Sequence, residues 1–429
     1  MRTISIYWLI VLFAIFVAGQ AEARKIWPAS LTVQYQGQPV RLSFEKLQQD
    51  EPVYSHPAMG NAGLRLSHRV LFRHDKSLNF NQLDALKDRR VARVFELESA
   101  YWSVVLTQGA ADSLSLVESL RHADGVTLAE PDFLQVRLHR NREPVFSPSV
   151  QAKAVRTQLS LTHWPAQAGA GMRVAVIDAA FSLSDPTLQP MLVLFHYDVD
   201  HRRELPLNAK ALAAFQFDTL HGDGDLAMIW SRHPDFTGLA PDASAILLRR
   251  DKNWTSDILI ALQLAFLKDA DLIQAAWTLP FTQQALTDAL LMLKAQGRHG
   301  KGLVVVAAAG NQSQNLDASF ALAAQPQVLA VNAVSAGTQW PATGRNLATA
   351  VEVPYQVYSS ATQTYSLAYS NTSAATAATT GVLAAVLSVQ PALTAAQLHY
   401  LVCQFSQPVL DAQSLMQHVQ RTQNQNVRL

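Results

Sequence analysis

The rhythm of apolar positions changes along the chain. An uncharged apolar run, ISIYWLIVLFAIFVAG (residues 4–19), follows Met1 and Arg2. After it, LTVQYQGQPVRLSF (31–44) alternates apolar and polar residues on either side of Gln36-Gly37, which predicts a small hairpin. The stretches RVLFRH, VARVFEL, YWSVVLT and GVTLAEPDF then read as strands, with a helix at ADSLSLVESLRH and a helix-like stretch near 79–86. Together they predict a compact α+β unit of roughly seventy residues, a common size for a small domain. Beyond residue 158 the strands become short continuous apolar runs: MRVAVID, ASAILLR, ADLIQAAW, GLVVVAAAG and VLAVNAV. Helical stretches such as SDILIALQLAFLK and QALTDALLMLKAQ separate several of them. Apolar strands alternating with helices predict a parallel sheet covered on both faces, an α/β doubly wound architecture.

Between the two patterns, residues 139–157 carry prolines, several basic residues and few apolar ones, the composition of a linker. The expected organisation is therefore a leader at 1–23, a short β segment at 24–60, a small α+β domain at 61–138, the linker at 139–157, a large domain at 158–420 and a tail at 421–429. The leader combines a basic start, an apolar core too short for a comfortable membrane span, and the small-x-small sequence Ala21-Glu22-Ala23. It predicts export, to the periplasm or outside the cell, with cleavage after Ala23 and no other membrane association. A single cysteine, Cys403, excludes an intrachain disulfide, so the core must hold the fold. The net charge of +1 gives no electrostatic ground for a nucleic-acid partner.

Residues 353–410 contain no Asp, Glu, Lys or Arg, so most of that segment must be buried. Within it, SNTS meets the helix-like run AATAATTGVLAAVL, which sets Ser373 in a first helical turn with outward-pointing backbone N–H groups. Asp178 closes the strand MRVAVID and Asn311 follows GLVVVAAAG, both at strand carboxyl ends, where reactive groups of open parallel sheets collect. His221 opens HGDGDLAMIW. Its acidic neighbours Asp218, Asp223 and Asp225 offer metal-ligand types, but three carboxylates at a helix start also complement its dipole, and no metal is expected. Acyl transfer by serine needs a hydroxyl, an imidazole, a carboxylate to hold the imidazole, and donors for an oxyanion. Asp178, His221, Asn311 and Ser373 supply that set.

With these residues in that order, the sequence resembles the subtilisin-like serine proteases, the subtilases, from about residue 158 to 420. VAVIDAAF is similar to the family's V-A-V-I-D-T-G, HGDGDLA to H-G-T-H-V-A-G, TGLAPDASAILLR to its G-V-A-P-x-A segment, AAAGN to the oxyanion motif, and NTSAATAATTG to G-T-S-M-A-T-P-H-V-A-G. The resemblance implies Asp178, His221 and Ser373 as triad, Asn311 as oxyanion donor, no cofactor, and a polypeptide substrate; a structural calcium ion has no support in the sequence. GVTLAEPDF resembles the last strand of the family's pro-segment, a ferredoxin-like domain that assists folding and inhibits the enzyme until cut away. The expected protein is an exported endopeptidase made as a zymogen, with its own pro-segment as intramolecular inhibitor.

Departures cluster around the motifs. Ala179 and Ala180 replace Thr and Gly, Gly224 replaces the second His, Asn371 replaces Gly before Thr-Ser, and Ala374 replaces Met. Where the family has S-L-G-G beside the bound peptide, this chain has Ala276, Trp277, Thr278 and Leu279. Those side chains predict a reshaped substrate pocket and restricted specificity, unless Trp277 packs into the core. The drift also leaves a second reading, a catalytically silent subtilase fold used for binding or as a scaffold.

Overall fold

The computed structural model describes residues 27–138 and 151–426, apart from 190, 216, 218, 219, 336, 337, 340, 341, 360, 361 and 408. The expected signal peptide, most of the linker and Asp218 lie outside the described residues. The large domain is built on a nine-stranded sheet. Its parallel core runs, across the sheet, Val193–Asp198, Ser244–Arg249, Arg173–Asp178, Leu272–Ala275, Val304–Ala308, Val328–Ser335 and Leu347–Glu352.

Alternation along these strands sorts side chains into two cores. Val174 and Val176 join Ala245 and Leu247 beneath the helices His221–Trp230 and Asn371–Val389. Ala175 and Ile177 join Ile246 and Leu248 beneath Thr255–Leu267 and Gln284–Gln296. The inner strands are covered on both faces, which is why the runs are apolar at most positions. The helix Asn371–Val389 is apolar and long enough to cross a membrane, but 89% of its most apolar window is buried inside the protein, so it is a core helix.

The N-terminal part forms two antiparallel sheets. One has the order Val91–Glu96, Ala100–Leu106, Arg69–Asp75, Val126–Pro131 and carries the helix Ala110–Arg121 on one face. Val70 and Phe72 face that helix, whereas Leu71, Trp102 and Val104 face the helices Thr255–Leu267 and Gln284–Gln296 of the large domain. The stretch near 79–86 forms two short 3-10 turns, Phe80–Gln82 and Asp84–Leu86, separated by extended Leu83, rather than one helix. The other sheet holds the expected hairpin, Ser30–Tyr35 paired with Gln38–Gln48, with Gln36 (φ 50°) and Gly37 (φ 75°) both left-handed at the turn. Glu51–Ser55, Ala62–Arg65 and Leu134–Arg137 extend it to five strands. Tyr35 packs on Phe320 and Phe281 of the large domain, with ring centroids 4.7 and 6.2 Å apart.

Candidate active site

Strand order reverses beside Arg173–Asp178: the chain lays Val193–Asp198 and then, between the two, Ser244–Arg249 on one side of this strand, and later Leu272–Ala275 along the other. Such a reversal opens a crevice at the carboxyl ends of the strands. Asp178 ends the first of these strands, Ala276 follows the second, and Asn311 lies just past Val304–Ala308. Three of the residues singled out by sequence therefore share one edge.

His221 is the first residue of its helix. The turn approaches the end of the Asp178 strand so closely that a Cβ on Gly222 would lie 2.4 Å from the Phe181 ring, so only glycine fits there. His221 Nδ1 is 3.0 Å from both carboxylate oxygens of Asp178, which also accepts from the Ala179 N–H at 2.7 Å. Asp178 is buried, while 36% of the His221 side chain remains exposed. Burial works against a charge on the imidazole, but the carboxylates of Asp178 and Asp225 outweigh it and carry the His221 pKa up to about 9.

Ser373 lies in the first turn of Asn371–Val389. Asn371, where the resemblance has glycine, takes φ 68°, a left-handed conformation that asparagine adopts more readily than most residues. Deeper in this helix, Thr376, Thr379 and Thr380 each donate to a carbonyl one turn back, at 2.6 to 2.9 Å, so their hydroxyls are satisfied locally. Ser373 differs: its hydroxyl donates across the crevice to the Ala276 carbonyl at 2.8 Å. Asn311 Oδ1 accepts from Thr372 N–H (3.1 Å) and Thr372 Oγ1–H (2.8 Å), capping the helix from outside. Two donors on one atom identify it as the oxygen and leave the amide N–H2 unspent by this cap.

Two further side chains complete the cluster, and the triad motifs did not point to them. Tyr369, four residues before Ser373, sets its hydroxyl 3.4 Å from His221 Nε2 and donates to Asp225 Oδ1 at 2.7 Å. Its ring occupies the space beside Gly224. Asp225 is fully buried, and burial together with the nearby charge of Asp178 pushes its pKa well above the carboxylate range. In place of a direct His221–Ser373 hydrogen bond, Nε2 faces the phenol and the serine faces Ala276. Asp178, His221 and Asp225 bring ligand-type atoms within 4.8 Å of one another, but Nδ1 is turned to Asp178 and Asp225 receives the phenol, so the geometry is that of a hydrogen-bonded acid–base set. Asp223 turns away and accepts from the Ser182 N–H at 2.7 Å.

On the substrate side, Ala276 is buried and Thr278 is exposed. Trp277 is half-buried against the second core; its indole N–H donates to the Ile177 carbonyl at 2.6 Å and the Arg250 guanidinium lies 4.1 Å over its ring. Thr278, Leu279, Gly310 and Asn311 line a cleft of about 360 Å³, closed on its other side by residues 57–62 and Arg137 of the N-terminal part.

The family model for the subtilase family matches residues 169–423. No curated protein sequence gives a significant match. Among solved structures, fervidolysin from Fervidobacterium pennivorans, a keratinolytic enzyme related to subtilisin, superposes with a TM-score of 0.58 at 15% identity, over 79% of this chain and 57% of its own. The present chain thus spans little more than half of fervidolysin. The epidermin leader peptide processing serine protease of Staphylococcus aureus, in a serine-to-alanine mutant form, gives 0.58 at 13% identity over 82% of this chain and 99% of its own. At these identities the likeness concerns the fold. With the family match over more than half its length, the chain belongs to the subtilase family of serine proteases.

Proposed function

We propose that the protein is an exported serine endopeptidase made as a zymogen, in which Ser373 attacks the peptide carbonyl and forms an acyl-enzyme. His221 takes the serine proton and passes it to the leaving amine, while Asp178 holds His221 in the tautomer that keeps Nε2 free to accept. Asn311, with the Ser373 backbone N–H, donates to the oxyanion. The observation that carries this reading is the His221–Asp178 pair, at 3.0 Å to both oxygens, facing the Ser373 helix start across one crevice. For catalysis the Ser373 hydroxyl rotates from Ala276 toward Nε2.

The pro-segment reading, with residues 61–138 as inhibitor and 139–157 as the region to be cut, has support in how the last described strand lies. Leu134 bridges to Trp254 in antiparallel sense, the Gln135 N–H donates to the Asn253 carbonyl at 3.2 Å, and the Gln135 side chain bonds both backbone groups of Phe281. An extended segment fixed in this way lies along an edge next to the cleft, as a substrate would. Restricted specificity fits a cleft lined by Thr278 and Leu279 and narrowed by residues 57–62, with Ala276 buried behind it and Trp277 turned to the sheet.

Hydrolysis of a fluorogenic peptide by the processed protein tests the assignment. Ser373→Ala and His221→Ala, each cut within 139–157 by added parent enzyme, are expected to lower kcat by ~10⁴-fold or more with the circular-dichroism spectrum unchanged. Full activity in either variant would overturn it.

A further inference from the structure

We propose that Tyr369, backed by Asp225, is a positioning residue for His221: its phenol oxygen accepts from the Nε2–H of the imidazolium while its own proton is donated to Asp225. This inference rests on the reading of His221 as the general base. In that state each ring N–H has an acceptor, Asp178 at Nδ1 (3.0 Å) and Tyr369 at Nε2 (3.4 Å). The phenol can accept there because its hydrogen is already committed to Asp225 at 2.7 Å. The arrangement is a ring of four groups, since the Asp225 carboxyl also lies against Asp178.

Residues at three separate positions build this arm, and they fit one another. Gly224 leaves room for the phenol ring, because a Cβ there would lie 2.8 Å from two ring carbons. Asp225, one residue on, puts a carboxyl in a helix whose next residues, Leu226 to Trp230, are all buried and apolar. Tyr369, the last residue of the strand Thr364–Tyr369, reaches over both and meets the imidazole edge-on, with centroids 5.5 Å apart and planes at 65°. A buried carboxyl is costly unless it has a partner; here one oxygen takes the phenol and the other has no hydrogen-bond donor. The charge on His221 is what favours the ionised carboxyl, against burial and the neighbouring Asp178.

The groups that face His221 fix the direction of the effect. Asp178 from its strand and Asp225 from its own helix favour the charged ring, while Asp223 is turned to Ser182; the buried Arg250 guanidinium, whose backbone N–H donates to the Asp178 carbonyl, opposes it. The high His221 pKa agrees with this balance. The arm should stabilise the imidazolium that forms when serine gives up its proton, and should move the loss of the resting proton to higher pH.

The test is a titration that needs no catalysis. Ser373→Ala protein labelled in its histidine rings is titrated by NMR, with His221 assigned by its loss in a His221→Gln variant. Added Tyr369→Phe, which keeps the ring, and added Asp225→Asn, which keeps the shape, are each expected to lower the His221 midpoint by about one pH unit. In the processed enzyme carrying Ser373, the acid limb of kcat/KM should move by the same amount. Midpoints unchanged within a few tenths in both variants would reduce Tyr369 to packing and overturn the proposal. A shift with Asp225→Asn but none with Tyr369→Phe would also overturn it, because the carboxyl would then act without the phenol. If Ser373 were not the nucleophile, the NMR shift would still appear while the activity limb would not follow, so the two failures are distinguishable.

Discussion

Gly224→Ala offers a sharp test of how the crevice is packed. On helix propensity alone the change should stabilise by ~0.5–1 kcal/mol, because glycine loses more backbone freedom on folding. Here the new Cβ would lie 2.8 Å from two carbons of the Tyr369 ring and 2.9 Å from a third, closer than such atoms normally come. The ring cannot easily retreat: it is buried, bonded to Asp225 and packed edge-on against His221. Overpacking of this kind costs ~1–3 kcal/mol, so a net loss of roughly 1–2 kcal/mol is expected. In a Tyr369→Ala background the obstruction is gone and Gly224→Ala should instead stabilise, giving a coupling of about 2 kcal/mol between the two sites. Urea unfolding of the four proteins, all carrying Ser373→Ala to prevent self-digestion and compared at equal slopes, measures it. A gain in stability with Tyr369 present, or no coupling, would refute the reasoning.

Asn311→Ala should lower kcat by ~10²–10³-fold with little change in KM, since its amide is assigned to an oxyanion present only in the transition state; unchanged kcat would remove it from the machinery. Arg69 lies 2.9 Å from Asp257 and 4.0 Å from Asp132, both buried where the N-terminal part meets the large domain. Arg69→Ala leaves Asp257 with Arg202, at 2.6 Å, and Asp132 with the Ser256 donors, so the lost charge-assisted bond costs ~1.5–3 kcal/mol and should loosen the N-terminal part, read as faster proteolysis of residues 27–138 in the Ser373→Ala protein. Glu130 and Asp132 are pushed up by burial to about 7 and about 6, against the Gln34 N–H in one case and Arg69 and Ser256 in the other. Carboxyls that hold protons more tightly when folded cost nothing below their unfolded pKa of about 4 and their full penalty above the folded values, so stability should fall as pH rises from about 4 to about 7 and level off beyond. Glu130→Gln should remove a large part of that slope in the Ser373→Ala protein, and an unchanged slope would contradict the cause given.

The large domain was legible because parallel strands buried on both faces leave unbroken apolar runs, and Asp178, His221, Asn311 and Ser373 each sit in a stretch whose local pattern places it at an element's end. The Tyr369 arm was hidden for a physical reason: a strand and a helix over a hundred residues apart come together only in the tertiary fold. Its trace in the sequence was the coincidence of Gly224 where a histidine was expected with Asp225 beside an apolar run. Trp277 could not be placed from sequence either, because an indole next to a crevice can face the substrate or the core; its bond to the Ile177 carbonyl ties it to the sheet. At 79–86, LDAL has helical composition, but Leu83 takes an extended conformation and breaks the stretch into two turns. The hairpin at 31–44 was visible, whereas the sheet it joins depends on Leu134–Arg137, contributed about ninety residues later.

The most direct test of the central claim is the intact mass of the chain, made without residues 1–23, beside a Ser373→Ala variant prepared identically. The account predicts that the parent loses roughly its first hundred-odd residues, a pro-domain's worth, by cleavage within 139–157, and that the variant stays whole. Both chains whole, or both cut alike, would contradict a working Ser373 nucleophile that processes its own zymogen.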